Sequence, residues 1–364
     1  MENASNVTHS STTVSKQTST STLLIIQILC YSAIIAVGTF GNILIFVSIG
    51  TKTKRKISDY FILNLTITDL LCCVVSIPFD IMELVLGYWP LGLLMCKIVY
   101  PLQTVLMAVS VVTLLFMALE RHRAIIYPLK PKIRGRYVIL TIIILWITAF
   151  ALVTPYINTL GLHGSHCIEN WPGKSHAKAF TLCVFVLLYV TPLSIILAVF
   201  IRVALRLRNS NYTITRAFGN TMIGRQMCEK RSKRNVRVLK IFVSAVVAFA
   251  VCFLPFQVMW LWNDFGDAKN HKYLNDIFTF SYIMVYSNSA INPFIFSALS
   301  QKFRSFIRRS ISRKRTSIQP SYVNRRPSLG AILKSSFHNR RSRTSARIHF
   351  NEDLETPMKS LVHE

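Results

Sequence analysis

The sequence predicts an all-α membrane protein, a bundle of seven transmembrane helices. Three observations carry the prediction. Of the 364 residues 52% are hydrophobic and the mean hydropathy is positive, a composition that soluble domains rarely show. Seven apolar stretches are each long enough to cross a bilayer, which takes roughly 20 helical residues. A transmembrane barrel would need strands of about 10 residues in period-two alternation, and the stretches lack that pattern.

Residues 1–22 form a Ser/Thr-rich leader with two glycosylation sequons, at Asn3 and Asn6. No charged n-region and short apolar core precede a cleavage site, so the first span, Leu23 to Ile49, is read as the insertion signal. Span two runs from Tyr60 to Leu86 and carries Asp69 within it. A mid-membrane charge costs roughly 3 kcal/mol on insertion scales, which makes Asp69 a functional candidate. Span three, Leu93 to Ile125, places Gln103, Ser110 and Arg121 nearly whole turns apart on one face. The first and last of these lie roughly 27 Å apart along the axis, close to the hydrocarbon thickness.

Spans four to six run Val138 to Leu160, Ala177 to Val203 and Val236 to Trp262. Span seven, Tyr273 to Leu299, carries Asn288, Ser289 and Asn292 on one helical face. With Asp69 these form either an oxygen-rich cavity suited to a monovalent cation or a network of interhelical hydrogen bonds. Pro78, Pro155, Pro192, Pro255 and Pro293 fall inside spans, each removing a backbone donor and bending its helix. Residues 23–299 therefore make the bundle, and the Arg/Ser-rich stretch 311–364 reads as a disordered tail.

The net charge of +27 would fit nucleic-acid binding if the cations decorated one folded face. They separate apolar runs instead. Of the 42 Lys and Arg, all but Lys16, Lys97, Lys174, Lys178, Lys269 and Lys272 fall on one side of the predicted membrane. The positive-inside bias makes that side cytosolic, with the N-terminus outside and the C-terminus inside. The same basic surface meets the anionic lipid leaflet at about 1 kcal/mol per juxtamembrane cation. Eight cysteines show no zinc spacing, so a metal site is disfavoured. Cys96 and Cys167 fall at the outer surface, where oxidation is permitted. A disulfide there would tether the loop after span four to span three, whereas two buried free thiols would do nothing.

At this point the residues match a family. From roughly Leu23 to Arg309 the chain resembles the rhodopsin-like (class A) G-protein-coupled receptors. The resemblance rests on an ordered set of residues. It comprises Gly41-Asn42, Leu65 and Asp69, Trp89 and Cys96, Glu120-Arg121-His122, Trp146, Pro192, Phe249 with Cys252 to Pro255, and Asn292-Pro293-Phe294-Ile295-Phe296. It implies a disulfide between Cys96 and Cys167 and a short amphipathic helix over 300–310. Coupling to a heterotrimeric G protein is implied at Glu120, Arg121, His122, Tyr127 and Pro128. An activation switch is implied at Phe249, Phe253, Pro255, Asn292, Pro293 and Phe296, and an allosteric sodium pocket at Asp69, Ser110, Asn288, Ser289 and Asn292. No other cofactor is implied. The chain departs from the family's usual pattern at His122, at Phe253 in place of a tryptophan, and at Phe200 and Phe296 in place of two tyrosines. Each missing hydroxyl removes a hydrogen-bond partner contributing about 1 kcal/mol.

The outer half bears on the ligand. Gln103 stands where amine receptors of the family carry an aspartate, and Tyr286 where opsins carry the retinal lysine. A glutamine there resembles the neuropeptide FF, neuropeptide Y, orexin and pyroglutamylated RFamide peptide receptors. Acids outnumber cations outside, which points to a cationic ligand. The resemblance to the RFamide-type receptors, in several of which an aspartate at the position of Asp264 binds the ligand's C-terminal arginine, implies a short amidated peptide with a basic residue near its C-terminus, held by Gln103, Glu83, Glu169, Asp264 and Tyr286. Another peptide, a lipid, or a non-signalling scavenger role is the alternative. Thr316 and Ser328 lie in basic motifs that resemble kinase sites, whose phosphates would recruit arrestin. The sequence shows no repeat-related halves of a transporter, pore filter of a channel, or clustered catalytic groups of an enzyme. The expected location is the plasma membrane.

Overall fold

A computed structural model of the chain describes residues 5–53, 55–127, 130–131, 133–217, 222–266 and 268–299. Asn3, the side chain of Asn6, Pro128, the expected helix over 300–310, the tail over 311–364, and Thr316 and Ser328 lie outside the described residues.

Seven long helices follow in order. They are α1 (Ser5–Gly50), α2 (Ile57–Leu86), α3 (Gly92–Ile126), α4 (Gly135–Thr159), α5 (from Lys174 to Ala217), α6 (Met222–Phe265) and α7 (Leu274–Leu299). Six are long and apolar enough to cross a membrane. The seventh spans 26 residues and dilutes its apolar side chains with Ser287, Asn288, Ser289 and Asn292. In hydrocarbon only such self-satisfied backbones are tolerated.

Beside an apolar core, the molecule exposes many large apolar side chains and buries many polar ones. Phe40 and Leu94 are 68% and 70% exposed, while Asn42, Thr68, Ser76 and Thr113 are fully buried. Apolar side chains therefore face lipid and polar ones face each other, and the molecule is a multi-pass membrane protein. At the centre, α3 buries Val105, Val109, Val111, Leu114 and Met117.

Polar side chains stitch the helices together. Asn64 of α2 donates to Thr113 Oγ1 of α3 (2.8 Å) and accepts from Trp146 Nε1 of α4 (2.9 Å). Asn42 of α1 donates to the Ser289 carbonyl of α7 at 2.9 Å. One residue away the Pro293 side chain of α7 packs directly on the bare backbone of Gly41 in α1. A Cβ on Gly41 would lie 2.6 Å from Pro293 Cβ. Gly41→Ala must push the proline aside, and overpacking of this kind costs about 1–3 kcal/mol. The expected result is a lowered melting temperature in detergent, whereas an unchanged one would show that α1 simply slides outward.

Two of the five prolines lie just beyond a local change of helix type. Pro78 and Pro192 each follow a five-residue π turn, Cys72–Ser76 in α2 and Val186–Val190 in α5. The carbonyl four residues before each proline has lost its donor. In both cases it belongs to the π turn, whose longer pairing relieves the strain. Pro155, Pro255 and Pro293 sit inside uninterrupted helix.

Between α4 and α5 the chain forms an antiparallel hairpin, β1 (Leu160–His163) with β2 (His166–Glu169). Gly164, at φ 60°, supplies the left-handed turn position. A disulfide joins Cys167 of β2 to Cys96 of α3, with Cα atoms 5.8 Å apart. Trp89 N–H donates to Ser165 O at 2.7 Å. The hairpin is thus held across one end of the bundle.

Candidate functional site

A wide cavity opens at the disulfide end. Its walls include Asp80 and Glu83 of α2, Gln103 of α3, Glu169 of β2, Asp264 of α6 and Tyr282 of α7. Tyr100 donates to Glu83 (2.6 Å), Trp171 Nε1 to Glu169 (2.6 Å), and Thr181 and Asn263 to Asp264 (2.5 and 2.9 Å). Of the expected ligand residues, Gln103, Glu83, Glu169 and Asp264 line this cavity. Tyr286 lies lower, where its hydroxyl donates to Asp80 Oδ2 at 2.7 Å. Gln103 donates to the other oxygen of Asp80 at 2.9 Å.

Asp80 was absent from the residues expected to hold a ligand. The signal was present, an acid inside an apolar span, the same mark that singled out Asp69. What the sequence hid was the partner, since Asp80 and Tyr286 are 206 residues apart.

A second, deeper cavity continues inward. Asp69, Ser110, Asn288 and Ser289 line it along with Phe253, Trp260 and Tyr286. Asn292 donates to Asp69 Oδ2 at 2.9 Å. Ser110 donates to Thr68 Oγ1 (3.0 Å) rather than to Asp69. Asn288 Oδ1 is buried with no hydrogen-bond partner among the described residues. One carboxylate, hydroxyl oxygens and an orphaned amide oxygen are hard donors of the kind a monovalent cation takes. The residues therefore fit such an ion.

Phe253 of this lining stacks on the buried Phe249, their ring centroids 4.2 Å apart. Pro255 lies two residues further along α6, and Phe296 is buried in the core beyond Pro293.

The opposite end of α3 carries the charged quartet. Arg121 Nε lies 2.7 Å from Glu120 Oε2, an ion pair lacking in-line hydrogen-bond geometry. Arg121 also donates to Ser58 Oγ of α2, and Ser58 donates to Glu120 at 3.4 Å. The guanidinium sits 5.3 Å from the Phe242 ring centroid of α6. Ser58 was not anticipated, because a serine in a basic loop carries no signal of its own. His122 meets the exposed Tyr127 ring edge-on, 6.3 Å between centroids.

A helical bundle that crosses the membrane repeatedly, with an open acidic cavity at one end and a half-buried arginine at the other, has the build of a membrane receptor. The family model "7 transmembrane receptor (rhodopsin family)" matches residues 41–296, and the chain belongs to that family, the class A G-protein-coupled receptors, which are receptors and not enzymes. Among its relatives, neuropeptide FF receptor 2 of Rattus norvegicus is 28% identical over 73% of this chain and 67% of its own length. The RYamide receptor of Drosophila melanogaster is 29% identical over 77% and 62%. Galanin receptor type 1 of Mus musculus is 30% identical over 77% and 79%.

Proposed function

We propose that this chain is a plasma-membrane receptor for a short amidated peptide with a basic residue near its C-terminus, and that it signals through heterotrimeric G proteins. The observation that carries the ligand class is the cavity at the disulfide end, with Asp80, Glu83, Glu169 and Asp264 in its walls and no Lys or Arg among the described lining residues. A concave site of one charge sign steers and pairs the opposite charge. Relatives named for neuropeptide FF and RYamide support the peptide class. The distribution of Lys and Arg supports an extracellular N-terminus, and with it a G-protein contact at Glu120, Arg121, His122, Tyr127 and Pro128.

In this reading the stacked Phe249 and Phe253, with Pro255, Asn292, Pro293 and Phe296, link the cavity to Arg121. Asp69, Ser110, Asn288, Ser289 and Asn292 hold a sodium ion, whose charge offsets that of Asp69. Glycans at Asn3 and Asn6 and phosphates at Thr316 and Ser328, the latter recruiting arrestin, complete the expected modifications.

The test is nucleotide exchange in membranes holding the expressed chain, challenged with amidated peptides ending in Arg-Phe or Arg-Tyr. Asp264→Ala should weaken the responding peptide about tenfold or more, equivalent to about 1.4 kcal/mol. Undiminished potency in that variant removes Asp264 from the ligand contacts. Silence toward every such peptide despite surface expression sinks the ligand class.

A further inference from the structure

We infer that Asp80 is the counter-ion of a guanidinium group that reaches the junction of the two cavities, a deeper cation subsite than the one at Asp264. The inference deepens the proposed ligand class and rests on that reading for the direction from which a ligand enters.

Three observations converge on Asp80. Its carboxylate stands at the junction: Asp80 lines the wide cavity, Tyr286 the deeper one, and Gln103 both. Its two oxygens accept one neutral donor each, from Gln103 Nε2 at 2.9 Å and from the Tyr286 hydroxyl at 2.7 Å. An ionised carboxylate offers about four lone-pair sites, so each oxygen keeps capacity for a further donor, enough for a two-pronged guanidinium. Among the described residues no Lys or Arg pairs with Asp80. Gln103 and Tyr286 neutralise nothing; they are positioning residues that fix the carboxylate.

The walls fit the planar cation as well. Tyr282 stacks on Tyr286 at 6.3 Å and packs against Phe256 at 5.3 Å, and Trp260 meets Phe278 edge-on at 5.8 Å. A guanidinium, flat and weakly hydrated, lies well against aromatic faces, whereas a compact ammonium holds its water more tightly. Trp260 and Tyr282 line both cavities, and the Trp260 Nε1 is buried with no hydrogen-bond partner among the described residues. That donor would meet an acceptor on the same ligand, such as a peptide carbonyl.

The experiment uses purified full-length receptor and small probes in place of a peptide. Phenethylguanidine at millimolar concentration should raise the melting temperature by about 3 °C, and phenethylurea, its neutral analogue, should not. In an Asp264→Asn background, where the outer acid takes up no probe, Asp80→Asn should abolish the shift and Asp80→Glu should keep part of it. If Asp80→Asn does not purify, Tyr286→Phe serves, and its looser carboxylate should give a smaller shift. A wild-type receptor that ignores the guanidine, an equal response to the urea, or a shift that survives Asp80→Asn in that background overturns the assignment. Because no peptide enters this measurement, a failure of Arg-Phe-amide peptides to stimulate exchange would count against the proposed function alone.

Discussion

A receptor carrying Arg121→Ala will reach the membrane and take up ligand, yet stimulate nucleotide exchange about tenfold or more less than the unaltered chain. The expectation follows from where the side chain is held. Arg121 pairs with Glu120 beside it on α3, with Ser58 on α2, and by its face with Phe242 on α6. It is the cation on which three helices converge, so a change in the spacing of α2, α3 and α6 is felt there first. Removing it also strands Glu120, whose side chain is only 14% exposed. Breaking a fully buried pair costs about 3–5 kcal/mol, and water reaches this one, so the loss of fold stability will be smaller. Glu120→Gln should act with the opposite sign. It releases the guanidinium and raises exchange in the absence of ligand, as read by uptake of a GTP analogue against surface expression. If both variants lower exchange alike, the pair is only a structural tie.

The disulfide should give the second large effect. Cys96→Ser and Cys167→Ser each open a link between residues 71 apart in sequence, worth about 2–4 kcal/mol, or roughly 5–15 °C in melting temperature. The two single variants and the double variant should behave alike, because all three lose one bond. Ligand potency should fall in all three, since Glu169 lies two residues beyond Cys167 on the strand that the bond holds over the cavity. Additive losses in the double variant would mean that the two sulfurs act separately.

The spans were legible because lipid demands long apolar runs, and such runs survive without any knowledge of packing. Asp69 and the Asn288, Ser289, Asn292 face were legible for the converse reason, as polar residues where polarity is costly. Glu120 and Arg121 were singled out through the resemblance, and being adjacent in sequence they needed no fold to bring them together. The π turns were not, because a proline predicts a lost hydrogen bond but not how neighbouring turns absorb the loss. The hairpin after α4 was missed because LGLHGSHCIE lies between two strong helical signals and is only four residues per strand. In the sequence Asp80 is one outer acid among several. Only the fold reveals that Gln103, read as the replacement for an aspartate on α3, turns toward an aspartate on α2 instead.

The π turn at Cys72–Ser76 separates Asp69 from Asp80 along α2. One residue more or less in a helix rotates everything beyond it by about 100°, and a π turn amounts to such an extra residue. The two halves of α2 are therefore indexed independently. Below the turn the bearing of Asp69 is set against Asn292, and above it the bearing of Asp80 is set against Gln103 and Tyr286. A single-codon deletion within the turn would swing Asp80 out of the cavity and leave the Arg121 end untouched. In evolutionary terms, a chain built this way can exchange the chemistry it recognises in one step while inheriting its means of response intact.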